Sequence, residues 1–254
     1  AGLVIGIGML VSSFVAPTGV RAEAPTFSLA DNYRKGIDAL RRSQPFRALL
    51  FTFLLQGLAT GLMLAGAQYV ARWVLDTGVT ILFLSLIAPA ILFAPLWAIV
   101  SRRIGKERTF VLASSLFGLG ALSMTLLIWF PGVWLYAPVA LAGAGYAGMQ
   151  SLPMSMLPDV ISHDAVKSGD GSAGTFGGVW TAGETTGMAL GATVLTIVLA
   201  ASGYIESIAG QTVIQPGSAI AGIVLSFSVV PAVIIALSLW SFMRYPLRRS
   251  DIDA

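Results

Sequence analysis

The 254-residue chain contains no cysteine and a single histidine, His163. Without cysteine there is no disulfide frame, no thiolate metal site and no thiol nucleophile. One histidine excludes the multi-histidine metal centres of many membrane enzymes. Charge is scarce as well. Asp, Glu, Lys and Arg make up 11% of the chain, against roughly 25% in an ordinary soluble domain. That density cannot cover a water-facing surface, which argues against a soluble enzyme, a disordered chain and a nucleic-acid-binding protein. The net charge of +3 is too small to signal a polyanionic partner. No Walker loop, Rossmann glycine pattern or nucleophile elbow is found.

What the chain has instead is apolar length: 56% of its residues are hydrophobic. A membrane helix needs about 20 largely apolar residues. Six runs qualify, at 45–70, 79–100, 109–130, 134–157, 175–201 and 218–242. The opening run, 1–16, has neither a basic n-region nor a cleavage site, so it does not read as a signal peptide. It reads as the end of a seventh helix. Breakers divide the runs at 75–79, 130–134, 158–174 and 201–207. The expectation is an all-α membrane protein in contact with the lipid bilayer.

The basic residues assign sides. Basic side chains accumulate in cytoplasmic loops. With 17–44 placed in the cytoplasm and the sides alternating, 14 of the 15 Lys and Arg residues fall inside and only Arg72 falls outside. A wrong helix count would scramble that asymmetry. The C-terminal tail, 243–254, is then cytoplasmic. Within 17–44, Ser28 and Asp31 make a capping-box-like start. Leu29, Tyr33, Ile37 and Leu40 follow as one apolar stripe, with most charges off it. That pattern predicts a short amphipathic helix on the membrane surface.

Three stretches carry a family resemblance: "SRRIGKERTF" from Ser101 to Phe110, "PMSMLPDVISHDAVKSGD" at 153–170, and "GVWTAGETTGMALG" from Gly178 to Gly191. The first resembles the basic turn between the second and third helices of each half in major facilitator transporters. The other two, at the right spacing, resemble the loop between helices ten and eleven, and helix eleven, of the glycoside–pentoside–hexuronide symporters, the melibiose permease-like group. The resemblance spans the whole chain and implies the C-terminal six-helix half of the major facilitator fold, preceded by the end of helix six. Two departures stand out. The arginine-rich turn usual after Gly169 is "DGSAG" here, and Thr185 stands where many members have a lysine after the glutamate. Lysine-dependent ion or substrate handling therefore does not carry over.

The resemblance implies a secondary transporter that moves a small solute, most readily a sugar or glycoside, by alternating access. It implies no cofactor. A coupling ion, Na+ or H+, is expected, with any Na+ site mainly in the N-terminal half. That N-terminal six-helix half is the expected partner, as a separate chain or a further segment. The expected location is the bacterial inner membrane. A carrier of lysolipids or other amphiphiles, and a non-transporting assembly partner, remain open beside it. An enzyme is not expected.

Within that frame the residues that could act are few. Glu184 is the only acid deep in a predicted helix. An acid at mid-membrane costs about 2.5–3.5 kcal/mol. That cost selects for a cavity or a partner helix, so Glu184 is a candidate substrate contact or proton site. Trp180, Thr181, Glu184 and Thr185 fall at i, i+1, i+4 and i+5 and are expected to share a cavity face. Gln150 and Tyr146, one turn apart, and Gln56 are further substrate-contact candidates. Gly183, Gly187 and Gly191 form a small-residue ridge suited to close helix packing. At the cytoplasmic ends, Asp159 and Asp164 are expected to form a gate with Arg102 and Arg103, or with a cation of the other half. His163 reads as a solvated loop residue. No metal site is expected.

Overall fold

The computed structural model describes residues 29–168, 173–206 and 213–247. The run 1–16, the Ser28 cap, the "DGSAG" turn, and Arg248 and Arg249 of the tail lie largely or wholly outside them. The described residues are helical with no strand. Eight α-helices follow in order: α1 Leu29–Arg42, α2 Gln44–Trp73, α3 Val79–Ile104, α4 Lys106–Ser123, α5 Tyr136–Ser168, α6 Ala173–Ala201, α7 Gly217–Phe227 and α8 Val229–Phe242.

The breaks have local causes. Ser43 separates α1 from α2 by capping the latter. It sits in an extended conformation, its Oγ accepts from the Phe46 N–H, and Pro45 occupies the first turn. Gly105 joins α3 to α4 at φ +89°, a value that side chains disfavour. The run 218–242 is divided at Ser228, where the backbone leaves the helical region. Pro231 explains this, since it offers no N–H to the Phe227 carbonyl and its ring crowds that oxygen.

Five helical stretches among the described residues are long and apolar enough to cross a membrane: α2, α3, α4 with the 3-10 turn that follows it, α6, and α7 with α8. The chain is an integral membrane protein. α5, where the sixth span was expected, is 33 residues long but is not among these five. Its apolar density is diluted by glycine, Tyr146, Gln150, serine and proline. These are residues a helix can carry when its neighbours are other helices. Ala142 to Gly145 and Ala147 to Met149 are all buried, and α5 packs against both α3 and α4.

Close backbone approach sets the two main seams. In the α2–α6 seam, a Cβ on Gly187 would stand 2.5 Å from the Leu54 carbonyl oxygen. A Cβ on Gly191 would stand the same 2.5 Å from that of Leu58. In the α4–α5 seam, a Cβ on Gly145 would meet the Phe117 amide nitrogen at 2.5 Å. Without a hydrophobic force between helices in lipid, such contact is what holds them together.

Two expectations need correction. The stretch 158–174 does not read throughout as a loop, because α5 continues to Ser168 and carries Asp159, His163 and Asp164 on its last turns. Pro153 and Pro158 lie inside this helix, and both acids meet cations of other elements. In α1, Ile37 is exposed and Leu40 half-buried, whereas Gly36 and Ala39 are buried. Small residues win there because α6 comes close, and a Cβ on Gly36 would lie 3.0 Å from Val179 Cγ2.

Candidate functional site

Glu184 sits near the middle of α6 and is half-buried. Its Oε1 accepts a hydrogen bond of 3.0 Å from the side-chain amide of Gln150, near the middle of α5. The sequence offered these as separate candidates, and the structure joins them. α6 packs chiefly on α2, and α5 on α3 and α4. The hydrogen bond therefore links two helices that are not close-packed neighbours. It leaves the second carboxylate oxygen and the amide carbonyl as acceptors. Tyr146, one turn from Gln150 on α5, lines a cavity of about 190 Å³ with Thr60, Met63, Phe83 and Phe117, and neither Gln150 nor Glu184 is part of that lining.

The face expected from Trp180 to Thr185 is divided. Trp180 is 2% exposed and stacks on Phe53 of α2, ring centroids 4.4 Å apart. It shares the seam side of α6 with Gly187 and Gly191, at i, i+7 and i+11, and so does not line an open cavity. Glu184, one turn on, lies at the edge of that seam. Thr181 and Thr185 are exposed beyond it, their hydroxyls donating to the carbonyls of Gly177 and Thr181. Gln56 is also enclosed. It is 1% exposed and donates to Ser114 Oγ of α4 at 2.9 Å. A polar group this deep in an apolar run is satisfied best by another buried polar group, which draws it inward. Among the described residues, Gln56 Oε1 and Trp180 Nε1 are buried with no hydrogen-bond partner.

The gate residues pair differently from the expectation. Asp159 bonds Lys106, the first residue of α4, at 2.5 Å, and the same ammonium donates to the Ser155 carbonyl at 2.9 Å. The cation seen on Asp159 is thus Lys106 of the same basic turn, where Arg102 or Arg103 was expected. Lys106 follows the Gly105 turn and is carried toward α5, whereas Arg103 lines a separate surface cleft with Glu107, Arg108 and Tyr245. Arg102 is exposed at the end of α3. Asp164, 4% exposed, takes a two-pronged contact from Arg42 of α1: Nε at 3.2 Å and a terminal nitrogen at 2.6 Å. Such fork geometry is the stronger kind of ion pair. Nearby, burial pushes the Tyr245 phenol up, with the Asp159 and Glu107 carboxylates adding to the shift. It stays a hydrogen-bond donor through the physiological range.

Sequence reasoning missed Phe53, Ser114 and the role of Arg42. Phe53 looks like any core aromatic, and Ser114 like any small residue of a span. The position of Arg42 in the last turn of an amphipathic helix gave no hint of a partner more than a hundred residues away. Lys106 was visible as part of the basic turn but not as the residue that reaches α5. Among the described residues no group of three or more His, Cys, Asp or Glu could hold a metal ion.

The profile of the MFS/sugar transport protein family matches residues 1–249. An uncharacterized symporter of Synechocystis is 33% identical over 129 residues, covering 47% of this chain and 24% of that protein. A glucuronide carrier protein homolog of Escherichia coli K12 is 26% identical over 254 residues, covering 96% of this chain and 53% of that protein. The chain thus spans about half the length of the curated relatives it matches, or less.

Proposed function

The chain belongs to the MFS/sugar transport protein family, and from that membership we propose that it forms part of a secondary active transporter moving a sugar or glycoside by alternating access. The relatives named as a symporter and a glucuronide carrier homolog support this reading. Its polar contact is the Gln150–Glu184 pair. Near mid-span, an acid that among the described residues is bonded from Gln150 alone keeps acceptors for solute hydroxyls, and an ordered pair orients them. The hydroxyls of Thr181 and Thr185 lie on the same side of α6, and coupling to Na+ or H+ belongs to this reading. An N-terminal six-helix half would supply the other wall of the cavity. The site would sit in the bacterial inner membrane, with the basic turns and the C-terminus in the cytoplasm.

The gate in this reading consists of the pairs Lys106–Asp159 and Arg42–Asp164. Both lie at the end of α5, on the side assigned to the cytoplasm. Both pairs lie within this chain, so rocking against the other half acts on them through the charged groups that half brings to the same helix ends. The test is solute uptake by the full-length transporter in proteoliposomes, wild type against Glu184→Gln and Gln150→Leu. The Gln150→Leu variant should lose about tenfold or more in apparent affinity, the scale of one hydrogen bond to a charged group. Unchanged uptake in both variants would remove the pair from the site.

A further inference from the structure

The surface cleft between the α3–α4 turn and the end of α8 encloses about 680 Å³ and takes no part in the reading above. Its rim is charged. Arg103 lies in the last turn of α3 and Arg108 in the first turn of α4, on either side of Gly105. Both side chains are exposed, and among the described residues neither makes a hydrogen bond or an ion pair. Glu107 is the one acid of the lining, so the two arginines leave the rim positive. The wall is aromatic. Phe242 packs on Phe110 and on Tyr245, ring centroids 4.6 and 5.3 Å apart, which fixes the Tyr245 phenol at the cleft. The rest of the lining is apolar and open: Ile104, Val111 and Met243 are 43%, 41% and 74% exposed. From Val111 an exposed track continues along α4 through Leu119 and Leu122, at i, i+8 and i+11. Beside the cleft, the Arg244 guanidinium stands 4.3 Å over the ring of the exposed Trp240, a pairing suited to the level of lipid headgroups.

We propose that this cleft seats one anionic phospholipid, with its phosphodiester between Arg103 and Arg108 and an acyl chain laid past Val111 along the α4 track. Guanidinium and phosphate pair by forked, charge-assisted hydrogen bonds, and basic pockets between membrane helices suit lipid headgroups. On a glycerol headgroup, the Tyr245 phenol donates to a hydroxyl oxygen and the Glu107 carboxylate accepts from a hydroxyl. The positive rim selects an anionic lipid over a zwitterionic one. The apolar track selects a lipid over a soluble phosphate, which has no use for it. Neither Gln150 nor Glu184 lines this cleft, so the inference stands apart from the choice of solute.

The experiment titrates purified, delipidated full-length protein in detergent with phosphatidylglycerol, phosphatidylethanolamine or phosphatidylcholine of matched acyl chains. Native mass spectrometry counts the bound lipids, and thermal unfolding reports the stabilisation that binding brings. Wild type should bind one phosphatidylglycerol about tenfold or more tighter than either zwitterionic lipid. The double variant Arg103→Gln, Arg108→Gln should lose that preference, since each contact to a charged group is worth about tenfold. Both positions are exposed, so the fold is not at stake. The control Arg41→Gln, Arg72→Gln removes the same charge outside the cleft and should keep the preference. Val111→Trp fills the start of the track without changing charge and should weaken lipid binding. Equal binding of phosphatidylglycerol and phosphatidylcholine by wild type, or an unchanged preference in the Arg103, Arg108 variant, would overturn the site. Phosphatidylethanolamine binding as tightly as phosphatidylglycerol would overturn the anionic assignment. Displacement of phosphatidylglycerol by millimolar inorganic phosphate, with Val111→Trp binding like wild type, would make the cleft a soluble-anion site and overturn the lipid.

Discussion

At the scale of single residues, position on a helix decides role more than residue type does. Trp180 and Glu184 stand one turn apart on α6, yet one is sealed against Phe53 and the other keeps a polar contact across to α5. Spacing gives relative phase and not absolute direction, so the sequence could place them near one another without saying which faced inward. The glycine ridge held the missing information: Gly187 and Gly191 mark the seam, and Trp180 falls on their side. Trp180→Ala should then behave as a packing mutant, lowering stability by about 3–5 kcal/mol, the usual range for removing a large buried aromatic. Thermal unfolding of purified protein followed by intrinsic fluorescence checks this. An unchanged melting temperature would mean that the stack carries no weight and that Trp180 is free to serve the solute.

At the scale of elements, the helices were legible because lipid demands long apolar runs, and those runs end at recognisable breakers. The Gly105 turn, with its φ of +89°, is such a case. The end of α5 was not legible. Pro158, Asp159, Asp164 and Lys167 read as loop chemistry, yet the helix runs on to Ser168, and its two acids meet Lys106 and Arg42 from distant parts of the chain. Contacts of that sequence separation leave no local pattern. They do make α5 the element whose end is tied both to α1 and to the α3–α4 turn. Asp164→Asn weakens the fork to Arg42 and removes the charge, so it should loosen α1 from the bundle. Spin labels on α1 and on the end of α5 should report a broader distance distribution in the variant. Equal distributions would reduce the pair to a surface contact of little weight. Gly191→Val tests the α2–α6 seam in the same spirit. A side chain there has no room against the Leu58 carbonyl, so folded yield in the membrane should fall sharply, whereas Gly178→Val, in open space, should be tolerated.

For the whole molecule, the prediction concerns sidedness, and the absence of cysteine makes it clean to measure, since a single introduced thiol is the only one in this chain. Two observations bear on it besides the bias of charge. One end of the bundle gathers aromatic residues: Trp73 donates to the Tyr204 hydroxyl at 3.1 Å, Tyr69 packs edge-on to Tyr204, and Trp129 and Phe130 are largely exposed. Rings of that kind sit at the level of lipid headgroups. Arg72 belongs to this end, its guanidinium 5.1 Å from the Trp73 ring centre, so the one basic residue on the minority side is held at the interface by an aromatic neighbour. The other end holds both ion pairs and the Gly105 turn. Thr77→Cys and Pro131→Cys should therefore react with a membrane-impermeant maleimide in intact cells. Arg108→Cys and Arg244→Cys should react only after permeabilisation. Labelling of Arg108→Cys from outside would reverse the sidedness and move both ion pairs to the outer face. Labelling of Thr77→Cys and Arg108→Cys from the same side would mean that α3 does not cross the bilayer at all.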